Sequence, residues 1–161
     1  MLVLASASPR RQDLLRSAGI SFAVQTADID ETPLAGESAR GCAERLACQK
    51  ALKVSSGRPL DLVLGADTIV VVNDTILGKP SDACDAARML RMLSGRVHQV
   101  ITGVCLVSPV ASGQLPYSAE DASEVLGTEN WDLKTASEIT LVTFAELSDA
   151  EIQEYVATGE P

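Results

Sequence analysis

The sequence predicts an α/β fold, and three observations predict it. Apolar runs of strand length alternate with segments of helical periodicity along the chain. Caps, glycines and prolines punctuate the boundaries between them. The 161 residues contain no internal repeat and no linker, which makes residues 1–161 one domain.

Leu2 to Ala5 reads as a short buried strand. Ser8-Pro9 opens a helix, with Ser suited to the N-cap and Pro to the first helical position. Leu14, Leu15 and Ala18 supply its apolar face, and Gly19 ends it. Ser21 to Thr26 alternates like a half-buried strand, and Asp28 to Gly36 is acidic and turn-rich. A long helix is expected over Ser38 to Ser55, with Ala39, Ala43, Leu46, Ala47 and Val54 on one stripe. Leu62 to Val72 reads as a strand buried on both faces and broken by a bulge at Gly65-Ala66-Asp67.

Asn73-Asp74 signals a hairpin turn, Thr75 to Leu77 the returning strand, and Gly78-Lys79-Pro80 its stop. Ser81 is expected to cap a helix closed by Gly95, and Val97 to Val107 reads as another strand. Periodicity is lost from Ser108 to Ala136, so residues 108–137 are expected to form a surface insertion. Glu138 to Phe144 recovers strand character. Ser148-x-x-Glu151 is a capping-box pattern before a helix with Ile152, Tyr155 and Val156 inward.

Thirteen Lys and Arg against 22 Asp and Glu give a net charge of −9, which argues against holding DNA or RNA by bulk charge. No apolar run reaches bilayer-spanning length. The N-terminal MLVLASASPRR puts its basic residues after its apolar stretch, the reverse of a secretory signal. Cys42, Cys48, Cys84 and Cys105 form no C-x-x-C pair and read as free thiols of a cytoplasmic protein. A lone histidine, His98, excludes a His-cluster zinc site.

Several charged residues stand where they are costly. Asp67 lies within an apolar strand, where a carboxylate needs a partner or a metal. It either caps a local turn or serves as an acid/base or metal-binding group. Lys50 falls in the middle of the helical apolar stripe, where it either snorkels to solvent or meets an anion. Lys79, between Gly and Pro, is a polar turn residue or a ligand for an anion. Arg10 and Arg11 occupy the first turn of a helix, where the dipole disfavours cations unless an anion is bound. Asp28, Asp30 and Glu31 are a solvated acidic turn or part of a hard-cation site with Asp67. Together these residues would equip a site for a metal-bound polyphosphate. No Walker A, G-x-G-x-x-G or G-x-S-x-G pattern is present, which sets aside P-loop, Rossmann and serine-hydrolase chemistry.

The same residues carry a resemblance to the Maf family of nucleoside triphosphate pyrophosphatases. It runs through LASASPRRQDLL from Leu4 to Leu15, Asp30-Glu31, Lys50-Ala51 and GADTIVV from Gly65 to Val71. It continues through Gly78-Lys79-Pro80, the Met89 to Val104 segment and YVATGEP from Tyr155 to Pro161.

The resemblance implies an elongated, two-lobed fold with a central twisted mixed sheet flanked by helices, like the inosine-triphosphatase fold. It implies hydrolysis of a nucleoside triphosphate to the monophosphate and pyrophosphate with a divalent cation, magnesium or manganese. The family's general base matches Asp67, its metal-associated glutamate Glu31, and its phosphate-binding positions Ser6, Arg10, Lys50 and Lys79. Arg11 and Thr68 look like the branch acting on dTTP and UTP. The branch for methylated GTP has Trp in its SPWRR motif and S-D-Q in place of A-D-T.

A homodimer is implied as well, and so is an association with septum formation. That association leaves a nucleotide-binding regulatory module as the rival to an enzyme. Where the family continues after G-E-P with D-K-A-G-x-Y-x-I-Q-G, this sequence has its last residue, Pro161, so the domain is expected to be C-terminally incomplete relative to the family.

Overall fold

The computed structural model describes residues 1–109 and 131–159. A six-stranded mixed sheet runs in the order β2-β1-β3-β5-β6, with β4 paired to β3. Its strands are β1 (Leu2–Leu4), β2 (Ala23–Val24), β3 (Leu62–Val72), β4 (Thr75–Leu77), β5 (Val97–Pro109) and β6 (Trp131–Thr143). The helices are α1 (Pro9–Ser17), α2 (Ala39–Ser55), α3 (Ala83–Leu93) and α4 (Asp149–Ala157). β1 is parallel to β2 and β3, whereas β4, β5 and β6 are joined antiparallel.

Helix α2 lies across β3 and β5 and makes the core. Ala47, Ala51 and Val54 pack on Val3, Val63, Cys105 and Val107. Cys42, Ala43 and Leu46 pack on Ile69 and Ile101. Two glycines let the helix come this close. A Cβ on Gly65 would stand 2.9 Å from the Ala51 Cβ, and one on Gly103 would stand 2.5 Å from the Ala43 carbonyl. That explains the Gly-Ala-Asp segment without a bulge. β3 is continuous, and its register with β5 runs unbroken from Val63↔Val107 to Val71↔Gln99.

Other boundaries also differ from expectation. Ser8 takes the N-cap position of α1, but its side chain makes no capping bond. α1 buries no residue, and Leu14 is 71 % exposed. Asp82, not Ser81, caps α3 by accepting from the Asp85 N–H. β6 starts at Trp131, seven residues before the first predicted strand residue, and Trp131 and Leu133 pack against the core. An edge strand with one wet face alternates too weakly to read from sequence. The remainder of the expected insertion, residues 110–130, lies outside the described residues.

The hairpin and the last cap are as predicted. Asn73 and Asp74 both have positive φ, 49° and 57°, as a type I′ turn requires. Ser148 and Glu151 form the reciprocal capping box. No helix among the described residues is long and apolar enough to cross a membrane.

Candidate active site

The site follows from unequal strand lengths. On one edge of β3, β1 pairs only as far as Leu64, and pairing with β4 starts at Val70. Between them, Gly65 to Ile69 have a neighbouring strand on the β5 side alone. A cavity of about 1070 Å³ opens at this gap. The β1–α1 loop, the acidic loop before α2, the α2 face and the end of β4 wall it. Crevices beyond the carboxyl ends of parallel strands are where open α/β sheets commonly bind ligands.

Asp67 and Thr68, being consecutive on a strand, point to opposite faces of β3. Asp67 shares its face with Gly65 and Ile69, against α2. Lys50 on α2 reaches down to it, with Nζ 2.5 Å from Asp67 Oδ1. The same ammonium lies 2.7 Å from Glu31 Oε1, and Lys79 Nζ is 2.9 Å from Glu31 Oε2. Asp67, Lys50, Glu31 and Lys79 therefore form one alternating chain of charge. Lys50 and Asp67 are sequestered, at 12 % and 13 % side-chain exposure, whereas Lys79 is 86 % exposed.

Electrostatics follow from this arrangement. Burial is the largest single influence on Lys50 and pulls its pKa down. The bonds and charges of Asp67 and Glu31 together outweigh it, so the net shift is upward. Glu31 is held below its ordinary value, first by the Lys50 hydrogen bond and further by Lys79, against an opposing burial effect.

On the other face, Arg11 forms the second polar group. Its Nη1 donates to Ser6 Oγ at 3.0 Å and to the Ala66 carbonyl at 2.9 Å. Its Nη2 donates to Thr68 Oγ1 at 2.8 Å, and Thr68 Oγ1 also meets Thr102 Oγ1 at 3.1 Å. The Ala66 carbonyl is available because β1 has already ended. Burial lowers the Arg11 pKa against the opposing charges of Asp67 and Glu31.

The structure brings Ser6, Arg11, Glu31, Lys50, Asp67, Thr68 and Lys79 to one cavity. It does not bring Arg10, which is exposed on α1 and absent from the lining. Asp28 and Asp30 line the rim, and Asp30 accepts the Thr32 N–H in a local turn. His98 is buried elsewhere, edge-on to Phe144. Glu31 and Asp67 are the two carboxylates that meet a common cation. No group of three or more His, Cys, Asp and Glu among the described residues forms a ready metal cage.

One device could not be read from sequence. Arg45 on α2 grips Glu37 through both carboxylate oxygens, at 2.6 and 2.8 Å, and donates to the Thr32 carbonyl at 3.2 Å. This clamp holds the acidic loop that carries Glu31. Glu37 stands just before the N-cap of α2 and Arg45 lies eight residues on, within the helix, so no helical periodicity links the pair.

The chain matches the family model described as Maf-like protein over residues 1–161. It is 48 % identical over 160 residues to a Koribacter versatilis protein named dTTP/UTP pyrophosphatase, spanning 99 % of this chain and 72 % of that protein. Proteins of the same name from Symbiobacterium thermophilum and Pelotomaculum thermopropionicum are 48 % and 42 % identical, each over 99 % of this chain and 72 % and 74 % of theirs. Among solved structures, a nucleoside-triphosphatase, a dITP/XTP pyrophosphatase from Mycobacterium abscessus, has a similar fold. The TM-score is 0.52 at 16 % identity, over 91 % of this chain and 75 % of that one.

Proposed function

The chain belongs to the Maf family, and from that premise we propose that it hydrolyses dTTP, UTP and related pyrimidine nucleoside triphosphates to the monophosphate and pyrophosphate. Relatives named dTTP/UTP pyrophosphatase at 42–48 % identity support the substrate class. The observation that carries the chemistry is the cavity itself. It places paired carboxylates beside two lysines on one face of β3, and an arginine with a threonine on the other.

In this reading, water attacks the α-phosphorus, the bond to the α–β bridging oxygen breaks, and pyrophosphate leaves. Asp67 takes the proton from the attacking water or holds the cation, from a rigid strand position. Lys50 bridges Asp67 and Glu31 at the reaction centre and supplies positive charge beside the phosphates. Lys79, held by one exposed ion pair, turns to the phosphates at little cost. Arg11 and Thr68 read the base, with Ser6 and the Ala66 carbonyl fixing the guanidinium plane.

The donor set fits a divalent cation. Glu31 and Asp67 offer hard carboxylate oxygens that converge on a single cationic atom, Lys50 Nζ. Magnesium and manganese suit such oxygens and take their remaining ligands from phosphates and water. Bound there, the ion would neutralise phosphate charge and acidify water. A cytoplasmic location, a homodimer and the absence of membrane partners belong to the same proposal, as does the absence of nucleic-acid partners, which the acidic charge supports.

The test is pyrophosphate release across a panel of nucleotides with magnesium or manganese. Turnover of dTTP and UTP is the expected result. Binding by calorimetry without turnover would replace the enzyme with a nucleotide-binding module. Preference for methylated GTP would move the chain to the other branch.

A further inference from the structure

Outside the cavity, α2 and the sheet bring two thiols together. Gly65, Cys105 and Thr135 are register partners across β3, β5 and β6, and form one row beneath α2. Because Gly65 draws the helix onto the sheet, side chains as short as cysteine can meet across this gap. Cys48, partly exposed on α2, packs against the cluster containing the fully buried Cys105. The Cys48 sulfur also lies 3.2 Å from Thr135 Oγ1. Neither thiol lines the cavity, and the proposed hydrolysis uses neither.

We propose that Cys48 and Cys105 form a peroxide-reactive thiol pair, with Cys48 as the attacking sulfur and Cys105 as the resolving one, that closes to a disulfide between α2 and β5.

The chemistry differs for the two partners. Hydrogen bonding from the Cys105 thiol, with a smaller contribution from the Thr135 hydroxyl, lowers the Cys48 pKa against the opposing effect of burial. Cys105 is shifted upward, first by its bond to Cys48 and then by burial, and stays a thiol. The nucleophile is the thiolate, so the partly exposed Cys48 reacts first. Its sulfur attacks one oxygen of hydrogen peroxide and the O–O bond breaks. The departing hydroxide takes up a proton to become water, which leaves Cys48 as a sulfenic acid. Cys105 then attacks the Cys48 sulfur and the S–O bond breaks. The hydroxyl leaves with the Cys105 proton as a second water. Two thiols lose two electrons and the peroxide gains them. Cys42 takes no part: burial, and then Glu37, raise its pKa. Cys84 is exposed on α3 and has no place in the row.

The test uses the full chain carrying Cys84→Ser, which removes the exposed thiol. After hydrogen peroxide, non-reducing peptide mapping is expected to give a Cys48–Cys105 linked peptide. Adding Cys105→Ala is expected to stop at the sulfenic acid, trapped on Cys48 by dimedone. It should also slow iodoacetamide labelling of Cys48 at neutral pH by about threefold or more, the part of a lowered pKa that reduced nucleophilicity does not take back. If Cys105→Ala does not fold, the unsubstituted chain decides: Cys48 is expected to label several-fold faster than Cys84. A Cys48 that stays a free thiol under peroxide, a disulfide joining other cysteines, or labelling no faster than Cys84 overturns the proposal.

Discussion

Lys50 and Asp67 meet across the seam between α2 and β3, Nζ to Oδ1 at 2.5 Å, with both side chains largely removed from solvent. A lysine in the apolar stripe of a helix is therefore neither snorkelling nor idle. It neutralises the carboxylate that an apolar strand carries, and Glu31 completes the pairing at 2.7 Å.

Lys50→Met separates stability from binding. Met fills the volume of the lysine stem, but it leaves Asp67 without its cation and Glu31 with only the exposed Lys79. Breaking a buried pair from one side costs about 3–5 kcal/mol. Glu31 is 38 % exposed, so solvent screening places the expected loss at or below the lower end. Denaturant unfolding should show that loss, and calorimetry should show weaker triphosphate binding. A stable variant that binds nucleotide as the parent does would remove Lys50 from the site.

Asp67→Asn keeps the shape of the side chain and removes its charge. Hydrolysis is expected to fall by about a hundredfold or more, while the melting temperature changes little because Lys50 keeps Glu31. Retention of most of the parent rate would exclude Asp67 as base or cation ligand.

Arg11→Ala tests recognition of the base. Arg11 is bound to Ser6, Ala66 and Thr68 rather than to the carboxylate chain. Its loss should flatten kcat/KM among dTTP, UTP, CTP and GTP more than it lowers the mean. A uniform drop with an unchanged order would put the guanidinium on the phosphates.

Gly103→Ala probes the helix–sheet approach on which the site depends. The new Cβ would stand 2.5 Å from the Ala43 carbonyl and 2.7 Å from the Glu44 nitrogen, both backbone atoms that cannot turn away. Overpacking of this kind costs about 1–3 kcal/mol. Because α2 carries Lys50, turnover should fall with the melting temperature. Gly57→Ala, whose Cβ would meet nothing nearer than 3.8 Å, should be near neutral.

What was legible in the sequence was local. The period of α2 placed Lys50 on the buried side, and a carboxylate in an apolar strand marked Asp67. The Asn73-Asp74 turn and the Ser148 box depend on residues a few positions apart. The glycine at position 65 was misread because its reason lies in Ala47 and Ala51, on another element. The cavity depends on β1 ending before β3 does, and the Arg11–Thr68 bond joins residues 57 positions apart. No periodic pattern encodes either relationship: the helix-dipole argument marked Arg11 no more than its neighbour Arg10, and only the family resemblance pointed to Thr68. On α1, Leu14 matched a helical pattern yet lies in solvent, because no element covers that face among the described residues.

The Arg45–Glu37 clamp gives a pH signature distinct from that of the reaction centre. The Arg45 hydrogen bonds, against a smaller opposing effect of burial, bring the Glu37 pKa down from 4.5 to about 2. A carboxylate lowered in the folded state stabilises fully above its unfolded value. That stabilisation is lost as pH falls through the folded one. The difference in unfolding free energy between the parent and Glu37→Gln should therefore be constant above about pH 4.5 and vanish toward pH 2. Its plateau is expected on the order of 1–2 kcal/mol, as for a well-formed bidentate pair near the surface. Arg45→Ala should lose the same stability and also release the Thr32 carbonyl, freeing the loop next to Glu31. At neutral pH that variant should need more magnesium for half-maximal turnover. Arg45→Lys, which cannot bind both oxygens in a fork, should lie between the two. If Arg45→Ala lowers stability but leaves the magnesium requirement unchanged, the clamp holds the fold and not the position of Glu31.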